Sequence, residues 1–375
     1  MNPIELLNSS YTKNYTGPIL IIDPSIVTEN INRFKQAMHN VEINYAVKAN
    51  PDKLVLRAVK RADQSFEVAS AQEILFLKSI HTDFSHVLYS NSTRTDQGID
   101  VAVTNGITTF VVDGRSAVDK LVQRLAGKIT PCLYVRLIIP NGHSKFPLTG
   151  KFGIETDGAK QLIDYTKQIH NIDICGVSFH VGSQCLNPKS WKVGIEHALV
   201  MFDYMRQSQI TPKLLNIGGG FPVEYTTPVC SIEEIGSVVN KTIEKVSPDI
   251  RIVAEPGRYL AGNAGHLLCQ VIKRDVRKGK PWIYLDVGVF HGLAEGAVDG
   301  FEYKYITRHN DNNCVETAIV GPTCDSADIV TLSQMLPADV QEGDFVVVKN
   351  VGTYTTTYGT EFNGFPSPTV TRFTP

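Results

Sequence analysis

Short apolar runs rich in β-forming residues alternate along this chain with longer stretches whose apolar residues recur at helical spacing. Eight such runs lie between about residues 24 and 260, at 43–47, 65–68, 86–89, 109–112, 133–137, 176–180, 214–217 and 251–254. Amphipathic stretches such as KLVLRAVKRA, AQEILFLKSI and SAVDKLVQRLAG separate most of them. Regular βα alternation of this length favours a closed (β/α)8 barrel over an open doubly wound sheet.

The pattern changes near Gly262. Strand-like runs follow at 266–276, 282–287, 315–320 and 344–350, separated by turns that contain Gly and Pro, and long helical stretches become scarce. The sequence therefore predicts two domains, a barrel over 24–262 and an antiparallel β domain, sandwich-like or barrel-like, over 263–375. The apolar run at 19–23 is expected to join the β domain, which assigns residues 1–23 to it.

Composition and charge narrow the class of protein. A chain of 375 residues suits one large and one smaller domain, and 36 basic against 38 acidic side chains leave a formal charge of −2. That balance gives no reason to expect nucleic acid or membrane as a partner. No apolar run approaches the roughly 18–20 residues that span a bilayer, and the N-terminus lacks the features of a signal peptide. The seven cysteines form no CxxC pair, so we expect a cytoplasmic protein with reduced thiols and no metal site.

One lysine stands where the first barrel strand ends. The segment NYAVKANP places Lys48 after a short buried run. The ordinary explanation is a lysine whose stem lies on the surface with its charged head in water. The alternative is a lysine held on a rigid strand so that its amine forms a Schiff base with an aldehyde cofactor.

Polar and glycine-rich clusters fall at the C-terminal ends of other predicted barrel strands, the face where barrel enzymes build their sites. They are Glu67, Arg136, His180 with Ser183, the run 218–220 (GGG), and Glu255 with Gly257, Arg258 and Tyr259. Each has an ordinary explanation by itself. The glycines suit a tight turn, His180 suits a core position, Glu255 and Arg258 suit a local ion pair, and Arg136 can pair with any carboxylate. Their concentration at one rim favours a shared site.

The residue types at this rim suit the chemistry of pyridoxal 5′-phosphate (PLP). Lys48 supplies an amine for the aldehyde, and the flat imidazole of His180 suits a place against the ring. Glu255 supplies the anion that keeps the pyridine nitrogen protonated, so that the ring can accept electrons.

A phosphate group needs backbone N–H donors that it can approach closely. Gly219, Gly220, Gly257 and Arg258 can supply them, and the glycines carry no Cβ to obstruct the approach. The sequence thus contains candidates for every part of the cofactor.

The chain resembles the fold-type III, alanine-racemase-like PLP enzymes, and within them the ornithine/diaminopimelate/arginine decarboxylase family. YAVKAN, FEVASAQEI, FHVGSQ, GGGFP and EPGRYL match the barrel motifs of that family in order, and GPTCDSAD and GTYTTTYGTEFNGF match its C-terminal motifs. GPTCDSAD and FNGF are most similar to the ornithine and lysine/ornithine decarboxylases. A diaminopimelate decarboxylase would be expected to carry glutamate where this chain has Asp325.

The resemblance implies a role for each matching position. Lys48 would bind the cofactor's aldehyde, His180 would stack on its ring, and Glu255 would face its nitrogen. The expected phosphate ligands are Ser183, Gly220, Arg258 and Tyr354. Glu67 and Arg136 would act from the side, and Glu67 stands where the family often has Asp.

The resemblance also implies a homodimer with active sites at the interface. The partner subunit would contribute a cysteine and an aspartate, which correspond to Cys324 and Asp325. Cys324 would return a proton to the substrate's Cα after carbon dioxide leaves, and Asp325 would hold the distal ammonium. Outside its motif, Cys324 would be interpreted as a small core residue.

The family implies decarboxylation of a basic L-amino acid, with ornithine expected first and lysine next. Asp299 is the candidate for a second ligand of the distal amine, and Glu295 and Glu302 are alternatives, although all three also suit solvated loop acids. The segment 141–150 has the character of a mobile loop near the site. Another diamino acid, or a modified amino acid of a secondary pathway, remains an open alternative.

Two other functions compete with the decarboxylase. A racemase of this fold would be expected to place arginine at the pyridine nitrogen, and Glu255 argues against it. A PLP-carrier protein would lack the β domain, and an inactive relative would be expected to lose Lys48 or Cys324, which are both present.

Overall fold

The chain forms two compact units in a computed structural model that describes residues 1–140, 142–148, 150–298, 301–309 and 311–374, with the backbone alone at Asp311. The first unit comprises Thr28–Pro222 and Val229–Tyr259. The second comprises Met1–Val27, Val223–Pro228 and Leu260–Pro375.

Eight parallel strands of the first unit close into a barrel, which confirms the predicted fold class. In chain order they are Glu42–Ala46, Ser65–Val68, Leu88–Tyr89, Thr109–Val112, Cys132–Arg136, Asp173–Ser178, Leu214–Asn216 and Arg251–Ala254. The last strand pairs with the first, Val253 opposite Glu42, and this pairing closes the barrel. Side chains from separate strands, among them Leu88, Val111 and Leu214, form one buried apolar cluster, as a filled barrel interior requires.

Helices follow the barrel strands, and polar caps fix where several of them begin. The α-helices are Pro24–Ala37, Lys53–Arg61, Ala71–Lys78, Asp96–Thr104, Arg115–Leu125, Thr156–Lys167, Lys189–Gln207, Ile232–Ile243 and the short Arg258–Ala261. Asp52, Ser70 and Thr95 each accept a backbone N–H of the helix that follows, and Ser231 forms a capping box with Glu234. These caps satisfy N–H groups that the first helical turn leaves without partners, so each strand-to-helix connection is held in place.

The connections after the fifth and sixth barrel strands together contain a short two-stranded antiparallel sheet that the sequence did not predict. Ser144–Phe146 pairs antiparallel with Ser183–Cys185, with Phe146 opposite Ser183. The sequence predicted a mobile loop near the site over 141–150, and the strand Ser144–Phe146 lies within that segment. Polar and charged neighbours around Phe146 hide the strand from a periodicity argument.

The second unit is built on an eight-stranded sheet. Its strands are Ile19–Ile22, Gly265–Arg277, Lys280–Leu285, Tyr305–Ile306, Cys314–Val320, Ile329–Pro337, Phe345–Val348 and Thr369–Arg372. Most pairs are antiparallel. Ile19–Ile22 runs parallel to Thr369–Arg372, and Lys280–Leu285 runs parallel to Cys314–Val320.

The remaining elements of the second unit are short. Its α-helices are Pro3–Leu7, Ser10–Lys13 and Thr355–Tyr358, and its 3-10 turns are Gly262–Ala264, Val289–His291, Ala294–Ala297, Asp311–Asn313 and Phe362–Gly364. Leu6 and Leu7 of the first helix pack with Ile21, Leu268 and Val347 in a buried cluster against the sheet. The N-terminal residues thus belong to the core of this unit.

Two cysteines of the barrel are joined. Cys132 and Cys175 form a disulfide, with Cα atoms 5.8 Å apart, so the expectation of reduced thiols throughout is wrong at this pair. They are 43 positions apart in the sequence but lie on neighbouring strands, a proximity that cysteine spacing alone does not reveal. The other five cysteines are not joined in disulfides. Within the described ranges, no helix has both the length and the apolar character needed to cross a membrane.

Candidate active site

The Lys48 side chain is 47 % exposed, but its amine is paired with a buried carboxylate. The residue lies in the 3-10 turn Val47–Ala49 that continues the first barrel strand, and its Nζ donates to Glu67 Oε2 at 2.7 Å. Parallel pairing sets Ala46 opposite Glu67, which brings the two side chains together. The Glu67 side chain is fully buried, and its Oε1 has no hydrogen-bond partner among the described residues. A buried carboxylate of this kind needs a cation, which Lys48 supplies.

A second carboxylate lies close to this pair. Burial and the negative charge of Glu67 raise the pKa of Glu73 to about 7. Its Oε2 accepts the Ala69 N–H at 2.6 Å, directly after the strand that carries Glu67. Glu73 gives no functional signal in the sequence, because a glutamate three residues after Ser70 is typical of a helix cap.

Glu255 follows the last barrel strand and is almost fully buried. Its Oε1 accepts hydrogen bonds from the Ser90 hydroxyl and, at 2.7 Å, from Asn216 Nδ2. Burial and the charge of Glu67 raise the pKa of Glu255, while Lys48 and the two hydrogen bonds lower it. Ser90 and Asn216 were missed in the sequence, although each stands where a barrel strand ends and the positional argument applied to Glu255 also covers them.

His180 is a neutral ring in this site. Its Nδ1 accepts the Gly182 N–H at 2.9 Å. Burial lowers the pKa of His180 to about 3, and the positive charges of Arg136 and Lys48 act in the same direction. Arg136 itself lies over the Phe152 ring, with the guanidinium carbon 5.4 Å from the ring centroid. The imidazole is therefore suited to packing flat against an aromatic ligand rather than to carrying charge.

The glycine run after the seventh barrel strand packs too closely for side chains. Gly218 and Gly220 have φ values of 66° and 96°, in the region that favours glycine. A Cβ on Gly219 would lie 2.7 Å from the carbonyl oxygen of Glu255, and one on Gly220 would meet the carbonyl oxygen of Gly182. The turn is thereby fitted to the ends of both neighbouring strands.

Arg258 and Ser183 meet beside this turn. Nε and Nη2 of Arg258 each lie 3.2 Å from the Ser183 hydroxyl oxygen. The guanidinium also lies over the Phe146 ring, 5.3 Å from its centroid. A guanidinium, a hydroxyl and glycine N–H groups in one place form a donor set of the kind that binds phosphate.

Five of the predicted residues line one cavity of about 350 Å³. Its lining includes Lys48, Glu67, Arg136, His180 and Glu255, together with Ser90, Asn91, Asn216, Leu148, Lys151 and Phe152. The residues fit PLP: the lining supplies an amine, the Glu255 carboxylate and a neutral flat ring, whereas the phosphate donor set of Ser183, Arg258 and the glycine turn lies outside this lining. The orphaned Oε1 of Glu67 is a further polar atom for a ligand group in this cavity.

Three other predicted residues belong to the second unit. Cys324 and Asp325 are exposed in the turn after Cys314–Val320, and Asn363 Oδ1 accepts both the N–H and the S–H of Cys324, at 3.1 and 3.3 Å. Asp325 Oδ1 accepts the Ala327 N–H at 2.8 Å. Tyr354 has a φ of 64°, and its ring stacks on that of Tyr358.

The candidates for the distal amine occupy different environments. Asp299 lies outside the described residues. Glu295 is buried in the 3-10 turn Ala294–Ala297, whereas Glu302 is exposed, with the Thr226 hydroxyl 3.4 Å from its Oε2. Burial distinguishes Glu295 from the solvated loop acid that the sequence also allowed.

Three comparisons place the chain among known proteins. The family model described as pyridoxal-dependent decarboxylase, pyridoxal binding domain, matches residues 25–262. The lysine/ornithine decarboxylase of Selenomonas ruminantium is 30 % identical over 358 residues, which cover 94 % of this chain and 88 % of that protein.

Two solved structures have closely similar folds. The lysine/ornithine decarboxylase of Vibrio vulnificus, complexed with putrescine, has a TM-score of 0.89 at 28 % identity, and the match covers 99 % of this chain and 98 % of that one. The structure of SrLDC in complex with PLP and cadaverine has a TM-score of 0.90 at 28 % identity, and covers 100 % and 95 %.

Proposed function

Since the chain belongs to the family of pyridoxal-dependent decarboxylases, with PLP as cofactor, we propose that it removes the α-carboxylate of a basic L-amino acid and releases a diamine. We place ornithine first and lysine next. The Selenomonas relative is named for both amino acids, and putrescine, bound in the Vibrio structure, is the amine that ornithine yields on losing carbon dioxide.

One observation carries the proposal: an amine and a buried carboxylate line the same cavity. Lys48 supplies the amine, and Glu255 supplies the carboxylate. An anion at the pyridine nitrogen keeps that nitrogen protonated, which decarboxylation requires. A racemase of this fold would be expected to place arginine there.

Lys48 and Glu67 act as a pair. When bound, the cofactor supplies an electron sink for the electron pair left on the substrate's Cα as carbon dioxide departs. Lys48 supplies the amine that holds the cofactor's aldehyde between turnovers. Glu67, 2.7 Å from that amine, stabilises its charged form whenever the amine is free.

The other barrel residues orient the cofactor. Glu255 would hold the proton at the ring nitrogen, and His180, kept neutral by burial, would pack on the ring face. The phosphate would be held by the donor set of Ser183, Arg258 and the glycine turn, to which we add Tyr354 on the strength of its motif. Gly257 and Arg136 complete the predicted contacts.

We assign the substrate side to a second subunit. In this proposal the protein is a homodimer, and each site receives Cys324 and Asp325 from the partner chain. The Cys324 thiol returns one proton to Cα, and the Asp325 carboxylate pairs with the distal ammonium. Their exposure supports this role, because an intermolecular contact requires accessible side chains. Asp299 remains our candidate for a second ligand of the distal ammonium.

The direct test is a substrate panel. Purified protein with PLP is incubated with ornithine, lysine, arginine, 2,4-diaminobutyrate and diaminopimelate, and carbon dioxide and amine are measured. We expect turnover of ornithine above lysine and none with Lys48→Ala. Product from none of the five amino acids would refute a basic substrate, and wild-type turnover by Lys48→Ala would refute the role of the lysine.

The shared site has its own test. Lys48→Ala and Cys324→Ala chains, each inactive alone, are mixed and allowed to exchange subunits. Half of the dimers are then hybrids with one intact site, so roughly a quarter of wild-type activity should return. Subunit exchange without returning activity would contradict the arrangement.

We propose a cytoplasmic location because the exposed Cys324 thiol must stay reduced for its role in proton return, although the Cys132–Cys175 pair in the barrel is oxidised. Cell fractionation tests this. We also propose 24–262 as the extent of the cofactor domain, with 1–23 and 263–375 as the β domain, supported by the family match over 25–262. The compact units described above differ from these bounds by a few residues and by Val223–Pro228.

A further inference from the structure

The two oxygens of Glu255 have different surroundings. Oε1 accepts from the Ser90 hydroxyl and from Asn216 Nδ2, whereas no described residue donates a hydrogen bond to Oε2. Glu255 nevertheless lines the cavity. The carboxylate is thus anchored through one oxygen and available to a ligand through the other.

The Asn216 amide has a fixed orientation. Its Oδ1 accepts the Gly218 N–H at 2.9 Å, so Nδ2 is the atom that faces Glu255. Asn216 is 1 % exposed, and both of its bonds are therefore shielded from water. One side chain consequently connects the carboxylate with the first glycine of the turn.

The hydroxyl chain on the other side has a fixed direction too. Ser90 has a single hydroxyl proton and gives it to Glu255, which as a carboxylate can only accept. The Tyr134 hydroxyl, 2.6 Å from Ser90 Oγ, must then donate to Ser90. Burial, and next the charge of Glu255, raise the pKa of Tyr134 well above its usual value, so Tyr134 keeps the proton that it donates.

We propose that Ser90, Tyr134 and Asn216 are positioning residues for the cofactor's ring nitrogen. Ser90 and Asn216 occupy Oε1 of Glu255, stabilise its charged form and leave Oε2 for the nitrogen, and Tyr134 orients the Ser90 hydroxyl. This inference rests on the proposed function only in assuming that Glu255 faces that nitrogen. It adds a chain of hydrogen-bond donors in which the Tyr134 hydroxyl acts on Glu255 through Ser90.

The network answers a difficulty of the site. Glu255 is buried close to the charge of Glu67, and both effects favour its neutral form. A protonated Glu255 would leave the ring nitrogen without an anion. The hydrogen bonds from Ser90 and Asn216 favour the charged form of Glu255 instead, because a hydrogen bond is stronger when its acceptor carries a charge.

The test compares two ligands of the apoenzyme. One is PLP, and the other is its benzene analogue, in which C–H replaces the ring nitrogen while aldehyde and phosphate are kept. Dissociation constants are measured by fluorescence for wild type, Ser90→Ala and Tyr134→Phe. We expect wild type to prefer PLP, and Ser90→Ala to reduce that preference roughly tenfold, as for a hydrogen bond to a charged group.

The pattern of losses decides the inference. Ser90→Ala and Tyr134→Phe should reduce the preference for PLP and leave the affinity for the benzene analogue unchanged. Tyr134→Phe should reduce the preference less than Ser90→Ala does. Asn216→Leu should reduce the preference for PLP. It should also lower the affinity for both ligands, since the variant loses the hydrogen bond from the Gly218 N–H. Equal losses for both ligands in Ser90→Ala, or no loss for either, would overturn the proposal.

Controls separate this inference from the proposed function. Tyr45→Phe removes a buried barrel hydroxyl that donates to the Asn50 carbonyl, and it should leave the preference unchanged. Glu255→Gln should abolish the preference; if it does not, Glu255 does not face the nitrogen and the inference fails. A preference that responds as expected, in a protein that decarboxylates none of the five amino acids, supports the network and refutes only the substrate proposal.

Discussion

Replacing Gly257 by alanine should disturb the turn that carries Lys48. A Cβ on Gly257 would lie 2.7 Å from the Cβ of Ala49 and 3.3 Å from that of Ala46. Ordinary contact begins at 3.4 Å, so Ala49 falls about 0.7 Å short of the separation it needs. Ala49 is fully buried and directly follows Lys48, so a shift of its backbone reaches the amine.

The cost follows from this overlap. Overpacking of this kind destabilises by about 1–3 kcal/mol. Gly257 has no left-handed φ, so backbone strain does not contribute. Ala49→Gly alone should cost about 1 kcal/mol, from lost methyl burial and the greater freedom of the unfolded chain. It also removes the closest clash, so the double variant should cost at least about 1 kcal/mol less than the two single costs added.

Urea unfolding of the apoenzyme measures these costs. Trp191 lies in the barrel unit against Phe221, and a Trp282→Phe background makes its fluorescence specific for that unit. Gly142→Ala is the control, because its Cβ would meet nothing within 4 Å, and it should change stability by less than about 0.5 kcal/mol. If the cost of the double variant equals the sum of the two single costs within about 0.3 kcal/mol, the clash between the two Cβ atoms is refuted.

Three further predictions concern single side chains. His309 lies between Asp339 and Asp344. Burial lowers the pKa of His309, but hydrogen bonds to the two aspartates outweigh burial and raise it, so wild type should be more stable than His309→Gln below about pH 6.5 and lose this advantage as the pH rises through the folded pKa. Thermal unfolding at a series of pH values checks this. Burial and the charge of Glu67 raise the pKa of Glu73 to about 7. Between about pH 4.5 and 7, wild type should therefore lose on the order of 3 kcal/mol of stability relative to Glu73→Gln. A difference in the free energy of unfolding that does not change with pH would contradict this. Asn363 has a φ of 59°, which glycine adopts without strain, and Asn363→Gly removes the acceptor for the Cys324 thiol. Iodoacetamide should therefore alkylate Cys324 faster in this variant than in wild type. Asn363→Asp should slow the reaction, because it places a negative charge beside the thiolate.

The barrel was predictable because its strands are short apolar runs, and Ser65–Val68, Thr109–Val112 and Arg251–Ala254 have the predicted bounds. The strand Ile329–Pro337 was not predicted. Its middle is half-buried or exposed and mixes Thr, Ser and Gln with apolar residues, so it lacks the continuous apolar character that identifies a buried strand.

The site was predictable where a residue type has a strong chemical reason to be at a strand end, as Lys48 and Glu255 do. Ser90 and Asn216 occupy equivalent positions, but serine and asparagine are common in turns and give no comparable signal. Tyr134 gave none at all, because a tyrosine inside an apolar strand is ordinary core until its hydroxyl partner is known. Disulfide pairing of Cys132 with Cys175 likewise depends on strand adjacency, which the linear sequence does not specify.

The antiparallel pairing of Ser144–Phe146 with Ser183–Cys185 connects the proposed phosphate ligands with the cavity through one segment. Phe146 pairs with Ser183 and lies over Arg258, the proposed phosphate ligands, while Leu148 and Phe152 of the same connection line the cavity. Binding of the phosphate and the position of the strand Ser144–Phe146 are therefore thermodynamically linked, and the linkage is reciprocal. A substrate that fixes the cavity side of the connection should slow release of the cofactor, and the loaded cofactor should protect Lys145 and Lys151 from trypsin.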